Sequence, residues 1–277
     1  CMHLLYARFF TKALRDMGYL SFSEPFKSLI HQGIILGEDG EKMSKSRGNT
    51  VSADEIIEKY GSDVLRMYLM FGFNYIDGGP WVSSGIEAVN KYLDKIKKMI
   101  DNYLNNEFIK SESSISKEEV ERVLNYTIKS VIEDADKFQF NTAVSRVMEY
   151  TNALNKYINS NIDKDYYKYL LEQLILILAP MTPHMSEELW YRLGHNESIF
   201  KQSYPVCDLK KLENKSYELI VQVNGKVRGK ITVDSDISEN EMKKLAVEQE
   251  NVQKYIIDSE VLKIIVIPKK LVNIVIK

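Results

Sequence analysis

Two lysines, Lys42 and Lys45, stand three residues apart in the stretch GEDGEKMSKSRGN, Gly37 to Asn49, with Ser44 and Ser46 interleaved. Glycines at 37, 40 and 48 leave the backbone free to move. Lysine carries a compact charge on a flexible stem, and mobile loops use it to meet phosphates once a ligand is bound. A phosphoryl-type transition state is stabilised mainly by positioned charge, with little covalent help from the protein. A loop holding Lys42 and Lys45 suits that task. K-M-S-K-S by itself is five common residues, and a solvated basic loop before a helix is the other reading of them.

Elsewhere the chemistry-bearing residues are sparse. Asp63 and Arg66 lie three apart on one face of an expected helix and read as a structural ion pair, a catalytic role being the lesser reading. Two cysteines, Cys1 and Cys207, make no C-x-x-C pair and no disulfide framework, so a reducing, cytoplasmic setting is the default. Four histidines, His3, His31, His184 and His195, show no metal-ligand spacing. In the linker and hairpin of residues 201–230, seven Lys/Arg face three acidic residues, a local excess of four on a chain of net charge −2. Lys226, Arg228 and Lys230 alternate, which on a strand gives one face and suits phosphate contact. Such a row is also often a solvated edge. Contact with nucleic-acid phosphates would make binding salt-sensitive.

The elements that must position these residues follow from periodicity. At 277 residues, 44% apolar and 27% charged, the chain is globular and long enough for more than one domain. No apolar run reaches the roughly 18 residues of a membrane span. Residues 1–18 read as a helix stopped at Gly18, without a capping residue before it, and the first residue is Cys. This start reads as cut from a longer polypeptide. LIHQGIIL, Leu29–Leu36, reads as a strand leading into the lysine loop. SADEIIEKYG then reads as a helix with a capping box at Ser52 and Glu55 and a left-handed Gly61 at its end. A second helix starts near Ser62, and Asn74–Trp81 is a break.

From about 84 to 193 the pattern is helical. Ile86, Val89, Leu93, Ile96 and Ile100 form one stripe of helix 84–104. A polar linker, 105–114, precedes a box at Ser116 and Glu119 and helix 117–136. Helix 141–159 turns Val144, Val147, Met148, Thr151, Leu154 and Ile158 inward. Helix 164–179, with YLLEQLILILA, is apolar nearly all round and is the expected centre of an antiparallel bundle. Pro180 ends it, and Thr182 with Pro183 starts the next helix. A basic linker, 201–216, follows. After it the period changes to two: YELIVQVNGKVRGKITV is a hairpin turned at Asn224-Gly225, SENEMKKLAVEQENVQKYI is a helix with a box at Ser238 and Glu241, and VLKIIVIP and KLVNIVIK are strands.

Four stretches carry a resemblance. KMSKSRGN resembles the second signature of class I aminoacyl-tRNA synthetases. LIHQGIILGEDGEKMSKSRGNTV with YGSDVLRMYLMF resembles the end of the catalytic domain in the large-aliphatic subgroup. ILAPMTPHMSEELW, residues 177–190, resembles the end of that subgroup's helical bundle. YELIVQVNGKVRGKITV and the LVNIVIK ending resemble the C-terminal domain of the bacterial-type leucyl-tRNA synthetases. The isoleucine enzymes commonly end in a cysteine zinc cluster, which two cysteines cannot build, and the valine enzymes in a coiled coil, for which no heptads are sustained.

The resemblance implies a mainly α, multidomain protein. Residues 1–80 are the end of a Rossmann-like α/β catalytic domain, 81–200 an antiparallel helical bundle of the class I anticodon-binding type, 201–216 a linker, and 217–277 a small α+β tRNA-binding domain. It implies a two-step reaction, in which leucine is activated with ATP, accompanied by Mg2+, and then passed to tRNA(Leu). Lys45 is the implied principal cation on the phosphates and Lys42 its assistant. Met43, Ser44 and Ser46 complete the ATP-binding loop, and His31, Gln32 and Gly33 lead to the adenine side. His31 reads equally well as a satisfied core residue. Lys226, Arg228 and Lys230 are the implied tRNA contacts. No metal site and no membrane contact are implied.

The family's first signature, H-x-G-H, does not occur in the chain, nor do the first half of the nucleotide fold and the editing domain. The expectation is therefore a chain that does not form leucyl-adenylate alone. The rival readings keep the residues in other roles: a stand-alone tRNA-binding module, or the small subunit of a split synthetase. A purely structural bundle would make four motif matches accidental. With one strand and no sheet neighbours, residues 1–80 should show an exposed apolar face.

Overall fold

A computed structural model describes residues 2–108, 114–158, 162–212, 216–234, 237–257, 259–267 and 270–277. Parts of the expected linkers 105–114 and 201–216 lie outside the described residues, as does Cys1. The chain divides into two compact units, Cys1–Val206 and Cys207–Lys277.

The first unit opens with helix α1 (Met2–Asp16), ended before Gly18, whose φ of 80° is the left-handed conformation that glycine takes without strain. Of the side chains in α1 only Thr11 is buried. Strand β1 (Ile34–Leu36) is shorter than the eight-residue strand expected at Leu29–Leu36. Its partner is β2 (Gly78–Pro80), a parallel three-residue strand inside the segment read as a break. Residues 29–32 are exposed, His31 among them, so His31 is not a core residue. Apolar residues there have no sheet to join, and strand propensity needs a partner.

The lysine loop follows β1, then helices α2 (Ala53–Tyr60) and α3 (Ser62–Phe71). Ser52 accepts the Glu55 amide as expected, and Gly61 has φ 88° with ψ 160°, outside the helical left-handed region that the sequence suggests. Tyr68 of α3 anchors the chain onward: its hydroxyl donates to Val82 O (3.0 Å) and accepts Val82 N–H (2.9 Å). Its ring stands edge-on to Phe73 and Trp81. Helices α4 (Ser83–Leu104), α5 (Lys117–Asp136), α6 (Phe140–Tyr157), α7 (Lys164–Leu178) and α8 (Pro183–Arg192) complete the bundle.

The core follows the helical stripes. Ile86, Val89, Leu93, Ile96 and Ile100 are all buried to within 1%. α7 buries Tyr167, Leu170, Leu171, Leu174, Ile175, Ile177 and Leu178, seven of its fifteen residues. Each such side chain stabilises by about 1.5–3 kcal/mol on leaving water. The buried Tyr150 finds a partner: its Oη donates to Leu170 O at 2.9 Å, and burial holds its phenol far above the usual range. At α5 the capping box is half formed, since Ser116 accepts the Glu119 amide while the Glu119 carboxylate pairs with Arg122 at 2.6 Å.

Asp63 and Arg66 do not pair with each other, contrary to the expectation. Asp63 accepts from Met185 N and His184 Nδ1, and Arg66 donates to the carbonyls of Pro180 and Met181. Two charges three apart on a helix face pair only when no better partner is near. Here α7 and α8 present one at each end of their shared turn.

The second unit is a four-stranded sheet, β3 (Ser216–Val223), β4 (Lys226–Asp234), β5 (Val261–Ile267) and β6 (Leu271–Ile276), in the order β4-β3-β6-β5. β3 and β6 run parallel and the other pairs antiparallel. Met242 and Ala246 of α9 (Glu239–Glu248) and Val252 of α10 (Glu250–Ile256) pack on Leu219, Val221, Val223, Val272 and Ile274. The single helix expected here is broken at Gln249, whose side chain accepts the Val252 amide and so starts a new helix. Asn224 and Gly225 take φ of 46° and 78°, the tight hairpin turn that the pair favours.

Candidate functional site

The lysine loop is framed by its own polar side chains. Gly37 N–H donates to Glu41 O at 2.8 Å, and Lys42 forms an antiparallel bridge to Leu36. Asp39 is the hub. Its Oδ1 accepts the Glu41 amide (3.0 Å), and Asn49 Nδ2 donates to both carboxylate oxygens (3.2 and 3.0 Å). These donors, the Glu41 amide first, hold the Asp39 carboxyl below its ordinary range. Asn49 Oδ1 in turn accepts the Ser44 amide at 2.8 Å. Asn49 thereby ties the loop to Asp39, ten residues back, and to Ser44, five residues back.

Within that frame, Ser44 and Ser46 hydroxyls lie 2.8 Å apart, and Lys45–Arg47 form one turn of 3-10 helix closed by Gly48 at φ 69°. Met43 is half-buried. Arg47 pairs with Glu41 at 3.3 Å. Lys42 and Lys45 are exposed and have no ion-pair partner among the described residues. Of three cations in the loop, one is neutralised within it and two are not, among the described residues. The serines shape the turn from which Lys45 departs.

The remaining site residues are placed differently. Gln32 and His31 lie exposed on the segment leading into β1. Gly33 donates its N–H to Tyr75 O at 2.8 Å, at the point where β1 meets β2. A cleft of about 480 Å³ beside the loop is lined by Glu38, Asp39, Asn49, Ser52, Trp81 and Ser83, among others, and by neither lysine. Its carboxylates make it no seat for an anion. The sequence reading missed Asp39, Asn49 and Glu38, which accepts from Ser83 N at the start of α4. The Asp39-Gly40 turn was the one local signal for the first of them.

The basic row of the hairpin does not share one face. Gln222 pairs with Val227 and Val221 with Gly229, so Arg228 is the extra residue of a β-bulge. Lys226, opposite Val223, lies on the face of the buried valines, whereas Lys230, opposite Ile220, lies on the other. Arg228 stacks on Tyr255 of α10, guanidinium to ring centroid 3.9 Å, and donates to its hydroxyl at 3.0 Å. Lys230 pairs with Glu218 at 2.9 Å. Among the described residues no group of three or more His, Cys, Asp or Glu is placed to hold a metal ion. No helix among them is long and apolar enough to cross a membrane.

Comparison with known proteins supplies the context for this loop. Residues 8–77 match the family of tRNA synthetases class I (I, L, M and V). Residues 117–244 match the anticodon-binding domain of tRNA ligase, a match that runs past the boundary between the two units. The leucine--tRNA ligase of Clostridium tetani is 50% identical over the whole chain, which covers 35% of that protein. The leucine--tRNA ligase of Caldanaerobacter subterraneus is 48% identical over 99% of the chain and 34% of its own length. Among solved structures, the ternary complex of Agrobacterium radiobacter K84 agnB2 LeuRS with tRNA and LeuAMS aligns with a TM-score of 0.73 at 30% identity, over 99% of this chain and 37% of that one. The chain is thus related over its whole length to the leucine--tRNA ligases, class I tRNA synthetases, and spans about a third of theirs.

Proposed function

We propose that this chain is the part of a leucine--tRNA ligase that supplies the lysine loop and the tRNA-binding domains. The observation that carries the reading is the pair of unneutralised lysines, Lys42 and Lys45, in a loop whose shape is fixed by Asp39 and Asn49. In this reading the leucine carboxylate attacks the α-phosphate of ATP, and pyrophosphate leaves. Lys45 meets the negative charge that develops on the phosphates and Lys42 assists. Such stabilisation works only if the charges are already aimed, and the Asp39–Asn49–Ser44 frame supplies the aim. Mg2+ arrives with ATP as part of the substrate. His31 and Gln32 are exposed and available on the approach to β1, on the proposed adenine side, while Gly33 serves the backbone crossing.

The leucyl group then passes to tRNA(Leu), held along the bundle and the C-terminal unit. Of the row Lys226, Arg228 and Lys230, Lys226 is exposed and has no ion-pair partner among the described residues, so it is the first proposed phosphate contact. Arg228 and Lys230 contribute after exchanging Tyr255 and Glu218 for phosphate. The reading places the protein in the cytoplasm. It also makes the chain inactive in isolation, because the residues facing the lysines across ATP lie on the two thirds of the relatives' length that it does not span. The exposed apolar face of residues 2–34 supports a neighbour there, in the same polypeptide or on a separate subunit.

The test is Lys45→Ala in full-length enzyme, read by leucine-dependent ATP–pyrophosphate exchange. The expected loss is about a hundred- to thousand-fold, the scale for one charge-stabilising group. A loss under about threefold overturns the assignment of Lys45.

A further inference from the structure

Helices α2 and α3 follow the lysine loop directly, and α3 meets the α7–α8 turn through two side chains of opposite charge. Asp63 accepts Met185 N–H at 2.6 Å and pairs with His184 Nδ1 at 2.9 Å. Both residues lie in the first turn of α8, where unpaired amides and the helix dipole favour an anion. Thr182, the residue in capping position, does not serve: its hydroxyl donates to Leu178 O and meets Ser186 Oγ instead. Asp63 has taken over the cap from another helix. Arg66 does the converse at the end of α7, donating to Pro180 O at 2.9 Å and Met181 O at 3.3 Å, where a cation is favoured.

A nucleophile relay does not account for this cluster. Ser62 Oγ and Asp63 Oδ1 both meet the same His184 nitrogen, Nδ1, so the imidazole cannot carry a proton from one to the other. The arrangement is mechanical. It also has no bond to the loop's own frame of Gly37, Asp39, Ser44 and Asn49, whose hydrogen bonds are internal.

We infer that Asp63 and Arg66 are positioning residues that register the lysine loop against the helical bundle, so that tRNA held on the bundle meets the loop correctly during leucyl transfer. This rests on the reading of the chain as part of a leucine--tRNA ligase. Because the loop's frame shares no bond with the clamp, leucine activation does not depend on the clamp, whereas transfer to tRNA does.

The experiment places Asp63→Asn, Arg66→Gln and Arg66→Lys in full-length enzyme. Each is measured for ATP–pyrophosphate exchange, for aminoacylation and for tRNA Kd, with melting temperature alongside. The expected result is exchange and tRNA Kd within about threefold of the parent, with the kcat of aminoacylation lowered about tenfold or more. Arg66→Lys, which keeps a cation at the α7 end, should recover part of the loss that Arg66→Gln shows. A purely structural role would lower exchange and aminoacylation together, in step with melting temperature, and that parallel fall overturns the proposal. Unchanged aminoacylation also overturns it. Should Asp63→Asn fail to fold, the Arg66 pair decides, since the ratio of aminoacylation to exchange does not depend on how much protein is folded. A parent enzyme with neither activity would instead refute the functional reading.

Discussion

A Cβ on Gly33 would stand 2.0 Å from the amide nitrogen of Gly78, and one on Gly78 would stand 2.2 Å from the carbonyl oxygen of Ile34. Two backbones cross there with no room for a side chain, and Gly78 also holds φ at 72°. This divides the stretch His31-Gln32-Gly33 into two kinds of residue. Gly33→Ala should destabilise the first unit by about 1–3 kcal/mol or more, through overpacking that only backbone displacement can relieve. His31→Ala and Gln32→Ala, on exposed side chains, should stay within about 0.5 kcal/mol of the parent. Urea unfolding of the three variants measures the contrast, and equal stability of all three would show that the crossing is not tight. At this scale the sequence shows residue types and hides partners. The exposure of Lys42 and Lys45 on a glycine-bounded loop was legible from residue types and spacing. Asp39 and Asn49 were not, because their bond depends on a loop closing over ten residues. Arg228 was misplaced for a related reason: the alternation Lys226-Arg228-Lys230 assumes an unbroken ladder. The bulge that breaks it goes with Gly229, on which the Gln249 side chain is packed at 2.5 Å from where a Cβ would stand.

Among elements, α7 carries the most consequence for the bundle. Leu174 is fully buried on it, whereas Leu69 on α3 is 41% exposed. Leu174→Ala removes a side chain from a site surrounded on all sides, leaving a cavity as well as losing the transfer free energy. The expected cost is about 2–5 kcal/mol, against at most about 0.5 kcal/mol for Leu69→Ala. Thermal or urea unfolding of the two variants checks it, and a small effect at Leu174 would mean that α7 is not the centre of the bundle. Helical periodicity made this element legible, since burial on a helix repeats every three to four residues whatever its partners are. It likewise found the α4 stripe and half of the buried residues of α6, though not Ala143, Tyr150, Ala153 and Tyr157, which are buried beside them. Strands were read less well. β1 shrank to three residues because an apolar run in extended conformation becomes a strand only where another chain segment offers hydrogen bonds. The one segment that offers them, β2, is the Gly-Gly-Pro of a stretch with no strand propensity.

The whole molecule is unevenly cored. In the bundle the apolar side chains are inside, yet from Met2 to Ile34 they are largely outside: Leu5, Phe9, Phe10, Met17, Tyr19, Phe22, Phe26, Leu29, Ile30 and Ile34 are each between 47% and 72% exposed. Proteins rarely leave so many large apolar side chains uncovered in one segment unless something docks on them. What ties the segment down is polar and superficial, Glu24 holding Arg8 at 2.8 Å and Lys12 at 3.0 Å, with the Glu24 carboxyl drawn down to about 2 chiefly by its bond to Arg8. Exposed pairs of this kind contribute little to stability. Residues 2–30 therefore add almost nothing to the core beneath them while presenting most of the exposed aromatic surface. Deleting residues 2–30 should leave the melting temperature of the bundle within about 2 °C of the parent, because no buried apolar side chain is lost. The same deletion should lower the binding of a hydrophobic dye and the tendency to associate. A drop in melting temperature of about 8 °C or more, equivalent to over 2 kcal/mol for a domain of this size, would instead show that the N-terminal segment is part of the bundle's fold.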